Sequence, residues 1–135
     1  MQIVAFSSDY DNEQLAELAV KAREASNKAI LLDPLDAMGW EAKTYIEVSE
    51  FNFTEANIAS TMAIKLNPKQ SSGWDAKNNI FRFLGLAKMQ KENSIHILEL
   101  EPLSRDAMSN LLLASLVLGD FEQVMYYEDM AIENN

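Results

Sequence analysis

Apolar residues recur at steps of three and four through nearly all of this chain, the spacing that puts them on one face of a helix. Leu15, Leu18, Ala19, Ala22, Ala25, Ala29 and Leu32 form one long stripe ending at Asp33. A second stripe (Met38, Trp40, Ala42, Tyr45, Val48) predicts a helix over roughly 37–50. Ala56, Ile58, Ala59, Met62, Ala63 and Leu66 predict the next. Trp74, Ala76, Ile80, Phe81 and Leu84 are followed by Leu86, Met89, Ile95, Leu98 and Leu100. Then come Met108, Leu111–Leu113 and Leu116–Leu118, and last Phe121, Val124, Met125, Tyr127, Met130 and Ala131. The pattern predicts about seven helices and no strands.

The breaks between stripes are punctuated by residues that end or start helices. Asp9, Asp11 and Asn12 precede the first stripe, and Asp36 and Ser104 stand where N-caps are needed. Asn52 or Thr54, and Ser71 or Ser72, are further cap candidates. Gly85 and Gly119 are placed to end helices in the left-handed conformation. Asp120 followed by Gln123 has the form of a capping box. The chain's three prolines, Pro34, Pro68 and Pro102, are evenly spaced, each closing a related phrase (AILLDP, AIKLNP, ILELEP). A fourth copy at Ala131–Asn135 stops one residue before the next proline would fall. A fixed period in this range predicts stacked helical repeats. The units expected are 1–34 (incomplete, with a long second helix), 35–68, 69–102 and 103–135, in one domain. Residues 1–8 are expected to be the remnant of a first helix, since Phe6 lies one period before Trp40.

Composition narrows the function. Hydrophobic residues make up 48% of the 135, a globular proportion, and cysteine is absent, which excludes disulfides and thiolate chemistry. The net charge of −10 disfavours nucleic acid and anionic membrane surfaces. Only the block 69–102 is not net acidic. There is neither a basic, apolar leader nor an apolar run long enough to span a membrane, so a cytoplasmic location is expected. The single histidine, His96, has only Glu92 as a helical partner of ligand type and reads as part of a surface pair. No phosphate loop or nucleophile elbow is present, so neither enzymatic activity nor a metal or other cofactor is expected.

A helix–turn–helix unit repeating at this period resembles the tetratricopeptide repeat (TPR) family. Trp40 and Trp74 match its early tryptophan, themselves one period apart. Ala22, Ala56, Ala29, Ala63 and Ala131 match its small crossing residues. Gly119-Asp120-Phe121 matches its inter-helix turn, Phe51-Asn52-Phe53 does so in part, and Pro34, Pro68 and Pro102 match its closing proline. Lys43, Glu47, Gln90 and Ile97 depart from the pattern. The resemblance implies an all-α, TPR-like right-handed superhelix of antiparallel helix pairs. The long first helix followed by Leu-Asp-Pro also resembles the repeat regions of bacterial winged-helix transcription regulators, which would make the chain an interaction part of a larger protein.

The family's geometry places a concave binding surface on the first helix of each pair. The implied inward residues are Glu41, Tyr45 and Val48, then Asp75, Asn78, Asn79 and Arg82, then Ser109, Leu113 and Leu116. Their chemistry suits another protein or a peptide: amides and Arg82 for backbone and carboxylate, Tyr and Leu for apolar contact. The basic clamp with which some family members hold the acidic tail of heat-shock chaperones looks absent, because Glu41 stands at its first lysine site. The nearly all-round apolar stretch 111–118 also fits a homodimer through the fourth repeat. A small-molecule-sensing groove is the alternative to a protein-interaction module.

Overall fold

In this computed structural model the described residues are 12–133, so the expected helical remnant at 1–8, the turn residues Asp9 and Asp11, and the tail Asn134–Asn135 lie outside them. Among the described residues the chain is all α-helix: α1 Asn12–Leu32, α2 Ala37–Ser49, α3 Phe53–Leu66, α4 Ser71–Phe83, α5 Ala87–Leu100, α6 Arg105–Leu118 and α7 Phe121–Glu133. Each helix packs on the next, and α2 also packs on α4, so these two first helices lie side by side.

The helix ends follow from local chemistry. Asn67 and Glu101, each before a proline, adopt extended φ values of −139° and −137°, because the proline ring excludes the helical region for the residue before it. The Asp36 carboxylate accepts from Met38 N–H at 3.0 Å, and Ser104 Oγ from Ala107 N–H at 3.3 Å. Two expected caps are otherwise engaged. Ser71 and Ser72 lie inside α4, where their hydroxyls donate to Glu101 and Glu41, and Gln70 holds the cap position. Asn52 does precede α3, but its amide donates to Glu47 at 3.1 Å instead of capping. At Asp120 only half of a capping box forms: Asp120 Oδ1 accepts from Gln123 N–H, while Gln123 Oε1 is buried without a partner.

The turns within pairs share one geometry at the same period. Phe51, Gly85 and Gly119 have φ of 61°, 67° and 72°. The next N–H reaches back to Glu47, Phe81 and Ser115 carbonyls at 2.8, 2.8 and 2.9 Å, the six-to-one bond of a Schellman turn. Glycine suits that conformation; phenylalanine carries a steric cost there of about 1 kcal/mol.

The core is built from small residues. Val48, Ala56 and Ile80 form its centre with Phe53 against them, and Ala59, Ala63, Ala76, Ala107 and Ala114 are buried along the stack. Small side chains let helix axes approach closely. At Gly39 and Gly73 an added Cβ would lie 3.1 and 3.3 Å from Cγ1 of Ile30 and Ile64, and the buried Ala107 holds the same place one period on. Trp40 and Trp74 each donate an indole N–H to the carbonyl of Pro34 or Pro68, at 3.0 and 3.1 Å. The two sequence marks of the repeat thus bond each other.

Two features depart from the sequence reading. The stripe Leu15, Leu18, Ala19, Ala22, Ala25, Ala29 and Leu32 is exposed, and Ser26 is the buried residue of α1. Within the described residues α1 packs on α2, one neighbour too few to cover a long stripe. Ser26 belongs to a buried ladder with Ser60 and Ser94, again one period apart, each hydroxyl bonded to a carbonyl of its own helix. Bonding back along the helix satisfies the hydroxyl and leaves a residue nearly as small as alanine at the crossing.

Candidate functional site

The first helices α2, α4 and α6 enclose a groove of about 340 Å³. Tyr45 enters it from α2, Ser72, Asp75, Asn79 and Arg82 from α4, and Asp106, Ser109 and Asn110 from α6. Five of the ten sequence candidates line it: Tyr45, Asp75, Asn79, Arg82 and Ser109. Glu41 stands beside it, accepting from Ser72 Oγ at 2.7 Å. Leu113 and Leu116, 48% and 50% exposed, lie farther along α6 outside the lining. Val48 and Asn78 are buried elsewhere. Val48 belongs to the core, and the Asn78 amide donates to Ser94 Oγ at 3.0 Å toward α5. A one-residue step rotates a side chain by about 100° around a helix, which separates Asn78 from its groove-facing neighbour Asn79. Ser72, Asp106 and Asn110 are lining residues the pattern alone does not single out. Counting four from Asp106 to Asn110 on α6 is the signal that could find two of them.

The electrostatics are one-sided. The Asp75 carboxyl is pushed up to about 6, first by partial burial and then by the negative charges of Asp106, Glu101 and Glu41. Burial also raises the Tyr45 phenol, with Asp75, Glu41 and Asp106 adding to it, so the hydroxyl keeps its proton. Among the described residues Arg82 is the one cation in the lining. It donates to Asn79 Oδ1 at 2.8 Å and lies 5.6 Å from the Phe83 ring centre. Asn79 in turn donates to the Asp75 carbonyl at 3.1 Å.

Other polar features serve the scaffold. Glu47, a departure from the repeat pattern, is 3% exposed and takes two bonds from Arg23, Nη1 to Oε1 at 2.8 Å and Nη2 to Oε2 at 3.2 Å. The same guanidinium bonds Glu50 at 2.7 and 3.2 Å. Arg23 holds the Glu47 carboxyl below its ordinary value. Gln90, another departure, donates to Asn110 on α6 at 3.3 Å. His96 pairs with Glu99 at 3.1 Å rather than with Glu92, and stacks edge-on against Trp74. Among the described residues no cluster of three or more His, Cys, Asp or Glu is placed to hold a metal. No helix among them is long and apolar enough to cross a membrane.

A stack of antiparallel helix pairs, with Trp-to-proline-carbonyl bonds and small crossing residues recurring at one fixed period, is the fold of a tetratricopeptide-repeat domain. The chain resembles the second TPR domain of the human RPAP3 protein, solved by NMR in complex with the HSP70 peptide SGPTIEEVD. The TM-score is 0.61 at 23% identity, over 68% of this chain and 77% of that one. No protein-family model matches the chain, and no curated protein does.

Proposed function

We propose that this chain is a protein-interaction module that holds a peptide segment of its partner in the α2–α4–α6 groove, its repeats running over 35–68, 69–102 and 103–135 after a partial 1–34. The observation carrying the reading is the groove itself. Three consecutive first helices contribute hydrogen-bonding side chains and one aromatic ring to a single concave surface. The peptide bound by the RPAP3 domain supports the same use of the fold. Selection of a random dodecapeptide library on the folded chain tests it. Enriched peptides are expected to lose binding to Ser109→Trp, which fills the groove from an exposed position on α6. The reading fails if no peptide is enriched, or if the enriched ones bind Ser109→Trp equally well.

A second reading has its own observation. Leu113, Leu116, Val117 and Phe121 are all exposed around the end of α6 and the start of α7, an apolar surface of the kind that pairs with another copy of the chain. Light scattering is expected to give a dimer that Leu113→Glu and Leu116→Glu together convert to monomer. A wild-type monomer at high concentration removes this reading.

A further inference from the structure

Resting on the groove reading above, we propose that the groove selects a basic peptide, seating a lysine or arginine side chain against Asp75 and Asp106 with the Tyr45 ring alongside. Three independent facts of the groove lead there. Among the described residues no side chain donates a hydrogen bond to the Asp75 carboxylate and no cation pairs with it, although it is half-buried at the middle helix of the groove. A carboxylate withdrawn from water without a partner is unfavourable, and a cation delivered by a ligand relieves it. The charges that reach Asp75 come from three other segments: Glu41 on α2, Glu101 after α5 and Asp106 on α6. The potential is therefore a property of the concave surface as a whole and not of one helix. The lining's own cation does not neutralise it, because Arg82 is turned to Asn79 and to the face of Phe83.

The rest of the groove suits such a guest. Its volume of about 340 Å³ admits a long side chain with flanking backbone. The Tyr45 ring, its hydroxyl kept protonated, offers a neutral π face on which an ammonium or guanidinium rests. Ser109 and Asn79 provide hydroxyl and amide groups for peptide carbonyls and N–H groups. An acidic peptide would meet like charge from Asp75 on the middle helix and from Asp106 on α6, with Arg82 the one opposing cation among the described lining residues. The whole-chain charge of −10 adds a long-range pull on basic partners.

The test must separate this local recognition from diffuse attraction, and its failure from failure of the groove reading. Fluorescein-labelled dodecapeptides of glycine and serine carrying two lysines, two arginines or two glutamates are titrated by anisotropy, beside the peptides selected from the random library. Lysine and arginine peptides are expected to bind, and the selected pool to be enriched in basic residues. Asp75→Asn with Asp106→Asn is expected to weaken basic peptides at least tenfold. Glu55→Gln with Glu122→Gln, an equal change in charge at exposed positions outside the groove lining, is expected to shift binding less than twofold. Equal weakening by the two pairs would overturn the proposal, leaving only diffuse attraction. Selected peptides that are neutral or acidic, yet still lost on Ser109→Trp, would overturn it while the groove reading stood. Insensitivity of every peptide to Ser109→Trp would overturn both.

Discussion

Removing Arg23 should cost this fold more than removing any other exposed charge, because of what it leaves behind. Glu47 is 3% exposed, and its carboxylate takes two guanidinium bonds plus one from the Asn52 amide. Breaking a fully buried pair by deleting one partner costs about 3–5 kcal/mol, because an uncompensated charge stays inside. The Arg23 side chain is 31% exposed, so water reaches one end of this pair and lowers the figure to about 2–3 kcal/mol for Arg23→Ala. For a domain holding about 5–15 kcal/mol in total, that is a large loss. Urea unfolding followed by circular dichroism at constant m-value measures it. The paired swap Arg23→Met with Glu47→Leu should recover most of the loss, since Glu47 occupies the period position of the buried Phe81 and an apolar side chain suits it. The pH dependence has a definite sign. The Glu47 carboxyl is lowered in the folded chain, so its stabilisation is present above the ordinary value of 4.5 and is lost as pH falls below that, into the lowered folded range. A loss under about 0.5 kcal/mol for Arg23→Ala, the range of an ordinary surface pair, would refute the reasoning.

Three further outcomes follow from the same geometry. Phe51→Gly relieves a left-handed φ of 61° that Phe51→Ala retains, while both remove the ring contacts to Phe53 and Phe83; the glycine variant should be the more stable by about 1 kcal/mol in urea titration, and equal stabilities would contradict the strain. Gly73→Leu drives a side chain against Ile64, whose Cγ1 and backbone N stand 3.3 and 3.4 Å from the Cβ position, and should lower stability by about 1–3 kcal/mol with a falling melting temperature; an unchanged Tm would mean the α3–α4 crossing yields freely. The Asp75 carboxyl, raised from 3.8 to about 6, binds more protons in the folded chain than in the unfolded one, so its contribution is fully favourable below 3.8 and is lost as pH rises through about 6; Asp75→Asn should flatten that decline, by at most about 1 kcal/mol once solvent screening is allowed for, and an identical pH profile for the variant would show that neither the burial of Asp75 nor the charges of Asp106, Glu101 and Glu41 raise it.

The period is legible because its marks act locally. A proline forces the residue before it out of the helix whatever surrounds it, and Asn67 and Glu101 obey. Glycine at 85 and 119 likewise settles two turns. Partner choice is not legible in the same way. The Glu47–Arg23 bond spans 24 residues, and nothing at either site announces the other. Ser71 and Asn52 have the chemistry of caps, yet each has a carboxylate within reach that a helix-end reading cannot see. Ser26, Ser60 and Ser94 escape the apolar pattern because serine is scored as polar, although their exposure is that of alanine. Half the groove is legible for a related reason: spacing sets Asn78 and Asn79 about 100° apart around α4, but which of the two faces the groove is decided by how the helices cross.

Units of one shape stacked in a row invite a particular error, in which one unit docks where its neighbour belongs. The polar pairs along this stack act as addresses against it. Arg23 meets Glu47 between α1 and α2, Asn78 meets Ser94 between α4 and α5, Gln90 meets Asn110 between α5 and α6, and Lys91 meets Asp120 at 2.6 Å farther on. No two junctions carry the same combination. A chain slipped by one full period would set Arg23 against the ring of Phe81 and strand the Glu47 carboxylate in the interior. What looks like irregularity in a repeat thus distinguishes the helices from one another, and favours one register of the stack over its neighbours.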